Sequence, residues 1–235
     1  MTWIVTGASR GLGRHLVQQL AERGHRVLAV ARDGHRLQAL ADAHPGRVVP
    51  LVLDLSDAAA ISPTMQRALA AEPHIAGLVN NAGIGTYKPL VEHTEAESVA
   101  IVQVNFTAVV QLCHAVVPRL IAQKRGHIVN IGSDLGRRPL ANMAVYAATK
   151  HALAGLSHSL LRELKAHGIK VSLVNPGIID TDFGAKNGES LEGTRGADWS
   201  LRPAQLATLI VQTIEQPGSM VVDEISVHPL GQGEF

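Results

Sequence analysis

Two polar side chains with catalytic chemistry stand four residues apart in Tyr146-Ala-Ala-Thr-Lys150. Residues i and i+4 share one face of a helix, so the phenol and the ammonium are predicted to be neighbours. A nearby cation favours the phenolate and is expected to lower the pKa of Tyr146 from about 10. Such a phenol would act as a general acid or base near neutral pH. Taken alone the pair is common, and most such pairs lie on protein surfaces.

Two further polar residues fall where a site near this pair would need them. Ser133 follows the predicted fifth strand and so lies at the carboxyl edge of the sheet, where open parallel sheets bind ligands. Asn105 interrupts an otherwise apolar helix, and a buried amide needs hydrogen-bond partners. Bound water and a neighbouring loop are equally acceptable partners for Asn105.

A glycine-rich turn separates the first predicted strand from the first predicted helix. Gly7, Gly11 and Gly13 let the backbone approach a pyrophosphate lying against the helix N-terminus. Their spacing is not that of the common Gly-x-Gly-x-x-Gly fingerprint, and a plain turn is the alternative.

The second strand ends at Ala31-Arg32, where an NAD-selective site generally offers a carboxylate. Arg32 offers instead a planar cation suited to the 2′-phosphate of NADP, and Arg10 in the glycine turn offers a second. The sequence therefore favours NADP(H) over NAD(H), although Asp33 is a carboxylate that could turn inward. Asp54, after the third strand, could accept a hydrogen bond from adenine or cap the following turn.

The elements that position these residues alternate along the chain. Apolar runs predict seven strands, and amphipathic stretches predict the helices between them, which implies a parallel sheet covered on both faces. The predicted strands are Trp3–Thr6, Arg26–Ala31, Val48–Leu53, Ile75–Val79, His127–Ile131, Lys170–Val174 and Met220–Val227. The predicted helices are Leu12–Arg23, a helix through Leu37 and Leu40, Asp57–Ala71, Thr94–Ala122, Ala144–His167 and Pro203–Glu215.

Local signals refine three of these segments. Thr94 and Glu97 form a capping box at the start of the long fourth helix. Ser62-Pro63 predicts an interruption or restart of the third helix. The irregular stretch Ile178–Leu201 is predicted to form a lid over a ligand, because long structureless inserts in compact domains are usually functional.

Composition narrows the class of protein. The chain has 235 residues, 46% hydrophobic and 17% charged, which excludes a disordered chain and predicts one domain spanning residues 1–235. A net charge of +1 argues against nucleic acid and anionic membranes as partners. The single cysteine, Cys113, excludes an intramolecular disulfide, and no pattern predicts a metal site. With no signal peptide or stretch of 18 apolar residues, the expected location is the cytoplasm.

The residues together resemble the short-chain dehydrogenase/reductase family, in its short single-domain branch. The glycine turn from Thr6 to Gly13, Asn80-Asn-Ala-Gly83, Asn105, Ser133, Tyr146-x3-Lys150 and Pro176-Gly177 with Thr181 occur in that family's order and approximate spacing. The resemblance implies a doubly wound Rossmann-type α/β fold. It also implies hydride transfer between a nicotinamide and a small carbonyl or alcohol, without nucleic acid or membrane partners, in a homodimer or homotetramer.

The resemblance assigns roles residue by residue. Tyr146 would be the acid/base, Lys150 would tune it and hold the nicotinamide ribose, Ser133 would bind the substrate oxygen, and Asn105 would hold a relay water. The implied cofactor site comprises Gly7, Ser9, Arg10, Gly11, Leu12, Gly13, Arg32, Asp54, Leu55, Asn81, Ala82, Gly83, Tyr146, Lys150, Pro176, Gly177, Ile179 and Thr181. Asp134 departs from the family pattern, in which a second small residue usually follows the serine.

Other classes fit less well. Ser133 lacks the Gly-x-Ser-x-Gly elbow of a serine hydrolase, and the glycine turn lacks the Lys-Ser/Thr of a nucleotide kinase. Two alternatives stay open: a dehydrogenase of a small hydroxy acid or amino-acid-like alcohol, and a non-catalytic redox sensor that binds NADP.

Overall fold

A computed structural model of the chain describes residues 1–183, 193, 196 and 198–233. Its strands are β1 Thr2–Thr6, β2 Arg26–Ala31, β3 Val48–Val52, β4 Ile75–Asn80, β5 Gly126–Ile131, β6 Ile169–Pro176 and β7 Glu224–Val227. Its α-helices are α1 Gly11–Glu22, α2 Gly34–Ala43, α3 Ala58–Ala70, α4 Glu95–Val102, α5 Ala108–Gln123, α6 Ala144–Leu164 and α7 Pro203–Ile214.

The seven strands form one parallel sheet in the order β3-β2-β1-β4-β5-β6-β7. The direction of winding reverses between β1 and β4, which is where doubly wound sheets open a ligand crevice at their carboxyl edge. The predicted Rossmann-type fold is therefore confirmed.

Helices cover both faces of the sheet because each carries one apolar stripe. On one face, Leu16 of α1, Leu37 of α2 and Ile210 of α7 join a core with alternate strand residues. On the other face, α3, α5 and α6 form a second core that includes Met65 and Leu112.

The capping box predicted at the start of α4 is confirmed. The Thr94 hydroxyl accepts from the Glu97 N–H at 3.2 Å, and the Glu97 carboxylate accepts from the Thr94 N–H at 2.8 Å. Two free N–H groups at the helix start are thereby satisfied.

Two predictions about element boundaries are wrong. Pro63 lies inside an uninterrupted α3, whose cap is Asp57 rather than Ser62. The hydrogen bond that Pro63 cannot donate would have gone to the carbonyl of Ala59, which lies on the exposed side of the helix where water can replace it. The last strand begins at Glu224 rather than Met220, because its pairing with β6 begins at Leu173 and Glu224 and the preceding Met220 and Val221 are exposed.

The long helical stretch 95–123 meets the length and hydropathy criterion for a membrane span, with a mean hydropathy of 1.7. A possible membrane span was not predicted from the sequence, because polar residues interrupt the apolar run. Leu112, Val116 and Leu120 of this stretch are fully buried against the sheet. The core helix of a soluble protein satisfies the same criterion, so the finding carries little weight.

Candidate active site

The carboxyl ends of β1 and β4 are joined by one buried hydroxyl. Thr6 Oγ1 accepts from the backbone N–H groups of Asn81 and Ala82, each at 3.0 Å, and donates to Val79 O at 3.3 Å. The side-chain amide of Asn81 donates to the backbone carbonyl of Thr6 at 2.9 Å. These bonds fix the Asn-Asn-Ala-Gly segment beside the glycine turn, so Asn81, Ala82 and Gly83 lie at the crevice as predicted.

The glycine turn requires glycine for two physical reasons. Gly7 and Gly11 have φ values of +66° and +51°, a backbone conformation that side chains disfavour. A Cβ on Gly13 would lie 2.2 Å from Gly7 O, so the turn closes directly onto α1. Helix α1 starts at Gly11 without a side-chain cap, which leaves N–H groups available to a phosphate. This cradle fits a dinucleotide.

Other residues of the predicted cofactor set surround the turn in different ways. Thr181 lies against it, with its methyl group 3.0 Å from where a Cβ of Gly11 would stand. Leu12 and Leu55 are core residues, so only their backbones can face a ligand. Ser9 is half-buried within the turn.

The adenosine end carries exposed cations. Arg10 and Arg32 follow β1 and β2 at the same sheet edge, and both are exposed. Asp33 does not turn inward: its carboxylate accepts from Arg36 N at 3.0 Å and caps α2. Asp54 accepts from the N–H and hydroxyl of Ser56, and these bonds and Arg32 lower its pKa despite burial, which acts in the opposite direction. Asp54 therefore shapes its turn and also lies within the field of Arg32.

The acid/base group is buried as a unit. Tyr146 and Lys150 on α6 are 9% and 5% exposed. The Ser133 hydroxyl lies near the Tyr146 phenol and acts to lower its pKa. Lys150 Nζ donates to Ile131 O at 2.8 Å and lies 5.5 Å from the centre of the Tyr146 ring. Tyr146 and Lys150 are thus neighbours on α6, as the spacing of four residues places them.

The predicted direction of the Tyr146 pKa shift is wrong. Burial raises the pKa of Tyr146 to about 12, although the Ser133 hydroxyl acts to lower it and the charge of Asp134 raises it further. Burial also lowers the pKa of Lys150 to about 8. Lys150 faces the ring and a carbonyl rather than the phenolic oxygen, so desolvation outweighs its attraction for a phenolate.

Asn105 lies in a π-helical turn, Gln103–Thr107, between α4 and α5. Its side-chain oxygen accepts from Ile84 N and its amide donates to Ile84 O, both at 2.8 Å. A Cβ placed on Gly83 would lie 3.5 Å from the Asn105 oxygen and 3.9 Å from Lys150 Nζ. The side chain thus binds a loop, the alternative left open above, while standing beside Lys150.

The segment after β6 reaches back over the crevice. Gly177 N donates to Val227 O at 2.8 Å, directly after Pro176 at the end of β6. Ile179 pairs with Leu201, so the two ends of the predicted lid meet. Of that lid, residues 184–192, 194, 195 and 197 lie outside the described part of the chain.

Three contacts at the site were not predicted from the sequence. The Phe183 ring meets the Tyr146 ring edge-on at 5.6 Å, and a Cβ on Gly85 would press on both rings. Thr149 Oγ1 accepts from Asn105 at 3.3 Å, and Gln232 binds Asp134 from the far end of the chain. Only Thr149 gave a local signal, since it lies inside the Tyr-x3-Lys motif.

Among residues 1–183, 193, 196 and 198–233, no three His, Cys, Asp or Glu side chains are placed to hold a metal ion.

Comparison with known proteins decides the family. The profile of the short chain dehydrogenase family matches residues 1–192. The chain belongs to this family. Membership makes it an NAD(P)-dependent oxidoreductase.

Individual relatives agree with this assignment. The chain is 37% identical over 180 residues to 3-oxoacyl-acyl-carrier-protein reductase FabG of Escherichia coli (strain K12), covering 77% of this chain and 74% of that protein. A metagenomic short-chain oxidoreductase in complex with NADP is 35% identical, with a TM-score of 0.83 over 97% of this chain and 96% of that one. The closed form of a serine dehydrogenase complexed with NADP+ is 28% identical, with a TM-score of 0.90 over 100% and 97%.

Proposed function

We propose that this short-chain dehydrogenase reduces a small carbonyl compound with NADPH, using Tyr146 as the proton donor. The observation that carries the proposal is the buried Tyr146 phenol, with Lys150 Nζ 5.5 Å from its ring centre and the Ser133 hydroxyl nearby. Burial raises the pKa of the phenol to about 12, so the phenol is in its protonated form throughout the neutral range.

Each residue of the site has its own role in the proposed reaction. Tyr146 gives its proton to the substrate oxygen, and Ser133 hydrogen-bonds that oxygen. Lys150 holds the nicotinamide ribose and supplies positive charge beside the ring, and Asn105 with Gly83 lines the path by which a proton returns through water. When bound, NADPH supplies the hydride.

The preference for NADPH over NADH rests on the adenosine end. Arg10 and Arg32 are exposed guanidinium groups, and such groups suit a 2′-phosphate. The neighbouring carboxylate that would suit a bare ribose, Asp33, is engaged at the start of α2. The glycine turn, Asp54 to Leu55, Asn81 to Gly83, Pro176, Gly177, Ile179 and Thr181 complete the proposed cofactor site.

The substrate lies beside Ser133 and Tyr146, between the segments 84–90, 135–143 and the proposed lid at 178–201. Phe183 and Gly85 narrow this space next to the phenol. The named relatives act on a 3-oxoacyl group and on serine, whose hydroxyl is also on the third carbon. Compounds with oxygen at that carbon are therefore the first substrates to test.

A second candidate is the oxidation of a small hydroxy acid or amino-acid-like alcohol, favoured by the TM-score of 0.90 to the serine dehydrogenase. Rates in both directions at one pH separate the two. An NADP-binding sensor without turnover is the third reading, which the intact set Ser133, Tyr146 and Lys150 opposes.

We also propose that a single domain spanning 1–235 acts in the cytoplasm as a homodimer or homotetramer. Val99 and Val102 on α4 are 59% and 42% exposed and, with Val145 on α6, line an apolar depression. A second subunit would cover this surface.

The one cysteine, Cys113, is a free, buried thiol, as a reducing compartment permits.

The test is the loss of NADPH absorbance with a panel of aldehydes, ketones, diketones and 3-oxoesters, run beside serine and 3-hydroxy acids with NADP+. Oxidation of NADPH by at least one carbonyl supports the proposal. Tight NADPH binding with no turnover in either direction favours the sensor and refutes the reductase.

A further inference from the structure

Asp134, the residue that departs from the family pattern, places a buried carboxylate directly behind the catalytic serine. Asp134 is 8% exposed. Its Oδ1 accepts from Ser133 Oγ at 3.1 Å, and Ser133 Oγ in turn accepts from Leu135 N at 3.2 Å. Ser133 is thus bonded to Asp134 on one side and lies near the Tyr146 phenol on the other.

A serine hydroxyl has one proton, and this fixes the direction of the chain of hydrogen bonds. While Ser133 donates to the Asp134 carboxylate, its proton is not available to the Tyr146 oxygen. In any hydrogen bond between the two hydroxyls, the phenol is then the donor. For Ser133 to donate to a substrate oxygen instead, its bond to Asp134 has to be released.

The other carboxylate oxygen is held from the C-terminal segment. Gln232 Nε2 donates to Asp134 Oδ2 at 2.6 Å, and Gln232 Oε1 accepts from Ile178 N at 2.9 Å. This orientation of the Gln232 amide satisfies both bonds. In the flipped orientation Gln232 Oε1 would face the Asp134 carboxylate and Gln232 Nε2 would face the Ile178 N–H. A Cβ on Gly177 would lie 2.2 Å from Gln232 Oε1, so the Gln232 amide packs directly against this glycine.

Basic side chains surround Asp134. His228, from the segment after β7, places Nε2 3.7 Å from Oδ2. Arg137 and Arg138 line the same cavity of about 620 Å³ as Asp134, and Arg137 pairs with Glu224. From α6, Tyr146 and Lys150 lie on the Ser133 side.

We propose that Asp134 is a positioning residue for the reduction proposed above: it directs the proton of Ser133, while Gln232 ties it to the loop that enters the nucleotide crevice at Ile178. The inference rests on the proposed function for its catalytic meaning. The charge of Asp134 raises the pKa of Tyr146, which agrees with a carboxylate that keeps the phenol as donor.

The first test observes Tyr146 without any substrate. The chain has two tyrosines, and Tyr87 is 66% exposed, so Tyr87→Phe leaves Tyr146 as the only tyrosine signal. In that background, the Tyr146 phenol is titrated by NMR with 13C at Cζ. Asp134→Asn should lower the midpoint by about 0.5 to 1 pH unit.

The matched control is Glu224→Gln, which removes a carboxylate at the start of β7 that bonds Asn175, His158 and Arg137 rather than Ser133. Its midpoint should equal that of the parent. Should Asp134→Asn lose its folded circular dichroism spectrum, Asp134→Ser removes the same charge with a smaller side chain and should shift the midpoint the same way. An unchanged midpoint in the folded charge-removing variant overturns the proposal.

The second test asks whether Asp134 acts through Ser133. Asp134→Asn should change kcat for carbonyl reduction about threefold to tenfold while leaving the Kd for NADPH within about twofold. Added to Ser133→Ala, the same substitution should have little further effect. Full additivity would show that Asp134 acts elsewhere. Absence of turnover in the parent protein would refute the proposed function alone, since the titration needs no substrate.

Discussion

Thr6→Val removes the one hydroxyl that joins the carboxyl ends of β1 and β4. Valine nearly matches threonine in shape, so the packing around this fully buried side chain is kept. What changes is the pairing of two backbone N–H groups, those of Asn81 and Ala82, which now donate to Thr6 Oγ1 at 3.0 Å. Val79 O also loses a weaker donor at 3.3 Å.

The expected loss follows from these three groups. Leaving a buried donor unpaired costs about 1–3 kcal/mol. The Asn81 N–H keeps a second acceptor, Val79 O at 3.1 Å, so the half-buried Ala82 N–H is the donor left unpaired. We therefore take the lower part of that range and expect a loss of about 1–2 kcal/mol in the free energy of unfolding. The loss of these hydrogen bonds should also weaken NADPH binding, because the segment Asn81–Ala82 borders the glycine turn.

Urea unfolding followed by circular dichroism measures the loss, with Thr6→Ser as the matched control. Serine keeps the hydroxyl and removes a buried methyl group, which costs about 1 kcal/mol. Thr6→Val should therefore be the more destabilised variant. If it is as stable as Thr6→Ser, the hydroxyl does not hold these strand ends together and the reasoning is wrong.

Three further outcomes are expected. Arg32→Ala should raise the Kd for NADPH about tenfold or more and that for NADH by less than about twofold, since a charged hydrogen bond contributes roughly 1.5–3 kcal/mol; equal weakening in fluorescence titrations would remove Arg32 from the phosphate site. His127 is buried with its pKa lowered to about 3, so the unfolded chain binds the extra proton and stability should fall as pH drops from about 6.5 towards 3. Between pH 6.5 and 4 this amounts to about 3 kcal/mol in wild type, and His127→Gln should show a shallower fall in urea unfolding at each pH; parallel pH profiles would contradict it. Val99→Glu with Val102→Glu should reduce the mass in light scattering to that of a 24.9 kDa monomer; an unchanged oligomer would place the interface elsewhere.

Much of the fold could be predicted from local patterns. Continuous apolar runs such as Leu78-Val79 signal strands buried on both faces, and Thr94 with Glu97 marks a helix start through its own hydrogen bonds. Pro63 could not be placed this way. Its cost depends on whether the carbonyl it leaves unpaired faces water, and that is a property of the packed helix.

At the site, too, some features follow from local sequence and others depend on the tertiary structure. Tyr146 and Lys150 meet because helix geometry alone brings residues four apart together. The pKa of the phenol could not be predicted from that spacing, because its direction is set by burial under Phe183 and around Ser133, which only the tertiary structure supplies. Gln232 is 98 residues from Asp134 along the chain, and no local pattern links them.

The most direct test of the central claim is the turnover of Tyr146→Phe with a carbonyl substrate that the wild-type protein reduces. Phenylalanine keeps the ring contacts with Phe183 and Lys150 and removes only the proton donor. We expect kcat to fall at least about 100-fold while the Kd for NADPH changes little. Turnover within about threefold of wild type, measured as NADPH absorbance loss with saturating nucleotide, would contradict the role of Tyr146 as the acid.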